Sequence, residues 1–280
     1  MAGAVPDRTP QLLQAAPRLF IASGADAVVA VMCWVLYHVA QFGVVVMPWY
    51  VPVMVGLGVW VAVLFSRLRR YFRLRGEAAA ANIFPAEWQW LSATLFVVLV
   101  VVLVAAFPLV MHVPVGLLRL LMVAVFICGV TCLLSTYRGT SLLVCVCLGL
   151  ALMWACVQPG LFYSFSVHPY SFCLRLPFWF AVFAFALFFS LRRSLQPPGI
   201  AMQVLCSLVA MAALVELLDR ASEDGRIAAF CPVYAGAVVC VWLLMILRGR
   251  VSEGAWYAIG WPLMALPPLL ALGYMGVMQG

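Results

Sequence analysis

Residues 91–110 form a long apolar run, LSATLFVVLVVVLVAAFPLV, that contains no charged side chain. An α-helix needs about 20 predominantly apolar residues to cross the hydrocarbon core of a bilayer. The chain has several more runs of this kind. Together they predict nine membrane-spanning helices, at roughly residues 27–47, 49–65, 90–111, 115–137, 139–157, 174–191, 199–218, 230–247 and 255–276.

The composition of the whole chain agrees with this pattern. Of its 280 residues, 67% are hydrophobic and 9% are charged, and the mean hydropathy is +1.14. Soluble domains are about 45–50% apolar and about 25% charged, so a water-soluble globular protein and a disordered chain are both excluded. We expect an all-α polytopic bundle in the cytoplasmic (inner) membrane, with a short cytoplasmic segment at 1–26 and one multi-pass domain at 27–280.

The distribution of arginine predicts the orientation of this bundle. All sixteen basic residues are Arg, and cytoplasmic loops of membrane proteins carry an excess of Lys and Arg. With a cytoplasmic N-terminus and nine spans, twelve Arg lie inside. Only Arg119, Arg175, Arg220 and Arg226 then fall outside, together with the C-terminal Gly280. Because topology accounts for the net charge of +7, we expect no nucleic-acid partner.

Two connections between spans are long enough to hold structure. The cytoplasmic loop 66–89 carries five arginines with aromatic neighbours, which suits anionic lipid headgroups or a partner protein. A topology anchor is the simpler interpretation of the same residues. The outer loop 158–173, QPGLFYSFSVHPYSFC, is apolar and aromatic, and it predicts an interfacial or re-entrant segment. The basic residues of the first loop are Arg67, Arg69, Arg70, Arg73 and Arg75.

A polar face on the first span is the first candidate site. Trp34, His38 and Gln41 follow helical spacing and share one face, which must point into the bundle rather than into lipid. His38 is a candidate for proton relay or ligand binding. A packing histidine that is held by hydrogen bonds is the structural alternative, and the other two His lie in predicted outer loops.

A second candidate site lies at the outer end of the seventh span, in AALVELLDRASEDGR. Glu216 and Asp219 share a face at a helix C-terminus, where carboxylates oppose the helix dipole. Arg119 and Arg175 lie at the outer ends of the fourth and sixth spans, at a similar depth to Glu216. We therefore expect an ion-pair or hydrogen-bond cluster among these residues. It is either structural or a polar site for a solute, a lipid headgroup or a proton.

The sequence contains no motif for a metal, a cofactor or a known catalytic centre. The ten Cys lie almost entirely inside apolar runs, where free Cys packs as a small hydrophobe. No HExxH motif and no phosphate-binding loop with Lys is present. We therefore expect no cofactor and no metal, and an enzyme is not the favoured class.

Three functions are compatible with these features. A small permease for a solute or a lipid-like molecule is favoured by the compact bundle, its polar interior face and the prolines inside its spans. A non-catalytic membrane subunit or scaffold, packed against a protein partner or a second copy of the chain, is the first alternative. The second alternative is a membrane enzyme that acts on a lipid-linked substrate at the outer face, with Glu216, Asp219 and Arg175 near the headgroups.

Overall fold

The long regular elements in the described part of the chain are all α-helices. The computed structural model describes residues 20, 23–41, 48–73, 86–106, 108, 146, 149–154, 156–157, 176–193, 199–220, 230–248, 250–251 and 253–279, and it has no strand among them. These residues form seven helices of 17 or more residues: α1 Ala25–Gln41, α2 Tyr50–Arg73, α3 Ala86–Ala105, α4 Leu176–Arg193, α5 Ile200–Arg220, α6 Phe230–Leu247 and α7 Glu253–Gln279. The predicted all-α class is confirmed for this part of the chain.

Each of these helices overlaps one predicted membrane span. The predicted span 115–137 and the aromatic loop 158–173 lie outside the described residues, and the span 139–157 is described only around 149–154, which are helical. By length and composition, one described helix is able to cross a membrane, through Ala258–Met275. The other six contain apolar stretches of 10–17 residues. The nine spans and the cytoplasmic N-terminus therefore stay predictions.

Part of the predicted basic loop 66–89 is helical. Helix α2 continues through Arg73, and α3 begins at Ala86, directly after Pro85. The apolar stretch of α2 ends at Phe65, as predicted for the span 49–65, and the helix extends beyond it because arginine is a good helix former and is favoured in the last turn of a helix. Four of the five predicted lipid-contacting arginines consequently lie on α2. They are Arg67, Arg69, Arg70 and Arg73, while Arg75 lies outside the described residues.

A tight turn positions the start of helix α1. Gly24 has a φ of 80°, and its carbonyl accepts hydrogen bonds from the N–H groups of Ala27 at 3.1 Å and Val28 at 3.4 Å. Glycine adopts a positive φ without steric cost. The indole N–H of Trp60 on α2 donates to the Ser23 carbonyl at 2.7 Å. The first two helices are therefore tied together at this end.

The packing order of the helices places α1, α6 and α7 beside one another. Helix α1 packs against α2 and α7, while α6 packs against α4, α5 and α7. Helix α3 lies against α2 at the edge of the bundle. The buried apolar core is contributed mainly by α1, α4 and α6.

A very close helix contact occurs at Gly149, in the helical residues 149–154. A Cβ atom at this position would lie 2.8 Å from both the Ala186 nitrogen and the Val182 oxygen of α4. Both of these are backbone atoms, so the two backbones approach each other closely only because residue 149 has no side chain.

Candidate functional site

The polar face predicted on α1 is turned into the bundle. Trp34 and His38 are fully buried, whereas Gln41, the last residue of the helix, is partly exposed. His38 and Trp34 are four residues apart, so they lie one turn apart on the same side of α1. The structure thus separates the predicted trio into a buried pair and a residue at the helix end.

His38 joins α1 to α6 through a polar contact. Its Nδ1 lies 2.6 Å from the Trp34 carbonyl oxygen, and its Nε2 lies 2.6 Å from the hydroxyl of Tyr234. A carbonyl only accepts hydrogen bonds, so Nδ1 must carry the proton that is donated to it. In a neutral imidazole, Nε2 is then the acceptor and the Tyr234 hydroxyl is the donor.

The two partners of this contact and three neighbouring aromatic residues form a group that we call the aromatic cluster: Trp34, Tyr37, His38, Phe185 and Tyr234. The rings of Trp34 and Tyr234 are nearly parallel, with centroids 5.7 Å apart and planes 6° apart. The His38 ring lies 5.9 Å from that of Trp34, and Phe185 meets Trp34 edge-on at 5.6 Å. Stacked and edge-to-face pairs of this kind stabilise beyond the area they bury. All five side chains are at most 1% exposed, so the cluster excludes water.

The Trp34 indole also bonds to helix α7. Its Nε1 donates to the Met264 carbonyl at 3.0 Å, in a buried contact. In a regular helix this carbonyl accepts from the N–H of residue 268, or of residue 267 in a tighter turn. Both positions are proline, which has no N–H. Trp34 therefore supplies a donor that α7 lacks at Met264.

The other predicted site residues fall in different parts of the chain. Glu216 and Asp219 lie in the last turns of α5. Arg119 and Arg175 lie outside the described residues, so the predicted ion-pair cluster stays a prediction. Among the described residues, no group of three or more His, Cys, Asp or Glu is placed to hold a metal ion.

The sequence reasoning missed two members of the site. Tyr234 lies 196 residues from His38, and no local pattern connects the two. The Met264 carbonyl had a signal in the sequence, because Pro267 and Pro268 together remove both of its usual donors.

A buried cation–aromatic contact lies at the turn between α6 and α7. Arg248, which follows the last residue of α6, is 9% exposed. Its guanidinium carbon lies 5.1 Å from the ring centroid of Trp256, in the first turns of α7. Contacts of this kind are worth about 0.5–2 kcal/mol, depending on desolvation. This contact ties the end of one helix to the beginning of the next.

Comparison with family models, curated proteins and solved structures finds no match for this chain. The geometry of the described residues therefore carries the functional argument.

The hydrogen bond between Tyr234 and His38 is testable by Tyr234→Phe. We expect this variant to lose about 1–3 kcal/mol of unfolding free energy, because a buried ring nitrogen loses its partner while the packing is preserved. Thermal unfolding in detergent measures the loss. Tyr274→Phe is the matched control, since Tyr274 is largely exposed and we expect no significant change. Equal effects at the two positions would contradict the assigned bond.

Proposed function

We propose that this chain is a multi-pass integral membrane protein. The observation that carries the proposal is an apolar stripe along the outside of α5, at the spacing of one helix face. Its side chains are between 52% and 81% exposed, although all of them are large and apolar. A soluble monomer rarely exposes a continuous patch of this kind. The stripe consists of Ile200, Val204, Leu208, Met211 and Val215.

The distribution of polar residues supports the same proposal. The exposed side chains of α3 between residues 97 and 104 are all valines, while polar or charged side chains are buried at Asp26, His38, Ser92 and Arg248. A protein surrounded by water favours the opposite arrangement. Apolar side chains outside and polar ones inside are the arrangement that a hydrocarbon solvent favours.

The helix lengths are compatible with a bilayer. Of the seven helices α1 to α7, the shortest, α1, has 17 residues and the longest, α7, has 27. At about 1.5 Å per residue they extend about 26 Å and 40 Å, against a hydrocarbon core of about 30 Å. Tilting, local thinning of the bilayer and snorkelling side chains accommodate differences of this size.

The proposed topology has nine spans, with a cytoplasmic N-terminus in an inner membrane. It follows the uneven distribution of arginine, and helix α2 carries four of those arginines in its last turns. A periplasmic-active reporter fused after Gly280 is expected to be active, because an odd number of spans places the two ends on opposite sides. Activity of a cytoplasm-specific reporter at the same position would contradict nine spans with this orientation.

We propose further that the protein is a small permease for a solute or a lipid-like molecule. Support comes from the buried contact between His38 and Tyr234, which lies beside a helix that contains three prolines. Ionisable side chains within the membrane rarely face lipid. They usually point into the bundle, where they mark pathways for a substrate or for protons. Interrupted helices near the bilayer midplane form the binding sites of many transporters.

The alternative proposal is a non-catalytic subunit of a larger membrane complex. It is favoured by the complete burial of the aromatic cluster, which leaves no aqueous path among these five residues, and by the broad apolar faces of α3 and α5. A membrane enzyme at the outer face rests on Glu216, Asp219 and Arg175, whose side chains lie outside the described residues.

Native mass spectrometry after gentle extraction separates the two main proposals. A stoichiometric protein partner would make the chain a subunit. A single chain or a homo-oligomer that carries a small molecule or a specific lipid supports the permease, and the bound mass gives the substrate class. We expect Tyr234→Phe to lose that bound mass, while Tyr274→Phe retains it.

A further inference from the structure

We infer that helix α7 is hinged at Pro267 and Pro268, and that the Trp34 indole is the latch that holds the hinge in the observed conformation. In a regular helix, four backbone hydrogen bonds join the two halves across any one point. At this point two of the four donors are prolines, so the bonds to Leu263 and Met264 are missing. The two halves of α7 are therefore joined by fewer bonds here than in an uninterrupted helix.

The latch comes from a different helix. Trp34 on α1 donates to the Met264 carbonyl at 3.0 Å, and its ring is held by stacking on Tyr234. A freed carbonyl inside a membrane protein is satisfied by neighbouring helices or ordered water, because the hydrocarbon offers no donor. The latch thus consists of one bond that breaks without disturbing the backbone hydrogen bonds of either helix.

The ring of Pro267 packs against a glycine of the neighbouring helix α6. A Cβ atom at Gly236 of α6 would lie 3.3 Å from the Cβ of Pro267. This contact is tighter than usual, so the ring fits because position 236 has no side chain. Trp34 of α1 and Gly236 of α6 therefore hold the same point of α7 from two helices.

The two halves of α7 differ in how firmly they are packed. Trp256, Trp261 and Met264 before the prolines are buried in the bundle. After the prolines, Ala271, Leu272 and Met275 still contact the core but are only partly buried, and Leu270 and Tyr274 are 64% and 66% exposed. We therefore infer that the second half of α7, residues 267–279, moves about the hinge while the first half stays in place. A role of this hinge as a gate for a substrate rests on the proposed permease function. The hydrogen bond that forms the latch does not depend on transport.

Amide hydrogen exchange of residues 269–275 in lipid nanodiscs tests the latch. Trp34→Phe keeps an aromatic ring but removes the donor, and we expect exchange in this segment to rise roughly tenfold. Trp60→Phe is the matched control, because it removes an indole bond to the Ser23 carbonyl elsewhere in the bundle. That control is expected to leave residues 269–275 unchanged.

A second substitution distinguishes the latch from simple loss of packing. Pro268→Ala restores an N–H that reaches the Met264 carbonyl within α7. We therefore expect the double variant Trp34→Phe/Pro268→Ala to exchange as slowly as the wild type. If Trp34→Phe acted only through lost packing, Pro268→Ala would not restore slow exchange, because it does not replace that packing.

The inference is overturned if Trp34→Phe leaves exchange in 269–275 unchanged, or if the double variant exchanges as fast as Trp34→Phe alone. Pro268→Ala in the wild-type chain tests the hinge even if Trp34→Phe does not fold. It should slow exchange in this segment by making α7 continuous, and unchanged or faster exchange would contradict the hinge. None of these measurements uses a transported substrate, so their failure is separate from failure of the permease proposal.

Discussion

Gly149→Val is expected to lower the free energy of unfolding by about 3 kcal/mol, the upper part of the usual range for overpacking. The first atom of the new side chain would lie 2.8 Å from two backbone atoms of α4. Backbone atoms do not move aside as the end of a side chain does, so the helices must separate. Equilibrium unfolding in mixed micelles measures the loss.

The matched control is Gly58→Val on α2. A Cβ atom at Gly58 meets nothing within 4 Å, so valine there is expected to be close to neutral. Comparison of the two variants separates the steric effect from the intrinsic helix preferences of glycine and valine, which are the same at both positions. If the two variants were equally stable, Gly149 would not lie in close contact with the backbone of α4.

Met211→Arg is expected to cost about 3 kcal/mol of membrane insertion, because it places a guanidinium near the middle of α5 on its apolar stripe. Met211 is 63% exposed, so packing inside the protein does not account for such a cost. The measurement is the fraction of the expressed chain that is recovered from membranes as folded, monodisperse protein in mild detergent. We expect that fraction to fall sharply.

Ile200→Arg is the control for depth. Ile200 is the first residue of α5 and is 81% exposed, so a long basic side chain there reaches the headgroups and costs little. In a soluble protein both substitutions would be harmless or would improve solubility. If Met211→Arg is tolerated as well as Ile200→Arg, the membrane proposal fails.

The existence of the helices was predictable because the signal is local. An apolar run such as 230–247 predicts its helix with the same bounds as the structure, Phe230–Leu247. Hydropathy gives the apolar part of a helix and not its full length. The apolar stretch of helix α2 ends at Phe65, as predicted, but the helix continues for eight more residues because its arginines favour a helix without being apolar.

Only the part of the candidate site that lies on α1 was predictable from the sequence, because its residues follow the spacing of one helix face. The spacing of Trp34 and His38 indicates a shared inward face, and both residues are buried. Their partners come from tertiary packing: Met264 is separated from Trp34 by 230 residues. Gly149 carried no signal either, since the requirement for glycine arises from the backbone of α4, far away in the chain.

The turn between α6 and α7 has a consequence for biosynthesis. Only residues 248–252 separate the two helices, and Arg248 rests on Trp256 across them. A turn this short keeps its helices adjacent from the moment both have been made. In the proposed topology, helices α6 and α7 are therefore expected to enter the bilayer together as a hairpin, with Arg248 left on the cytoplasmic side.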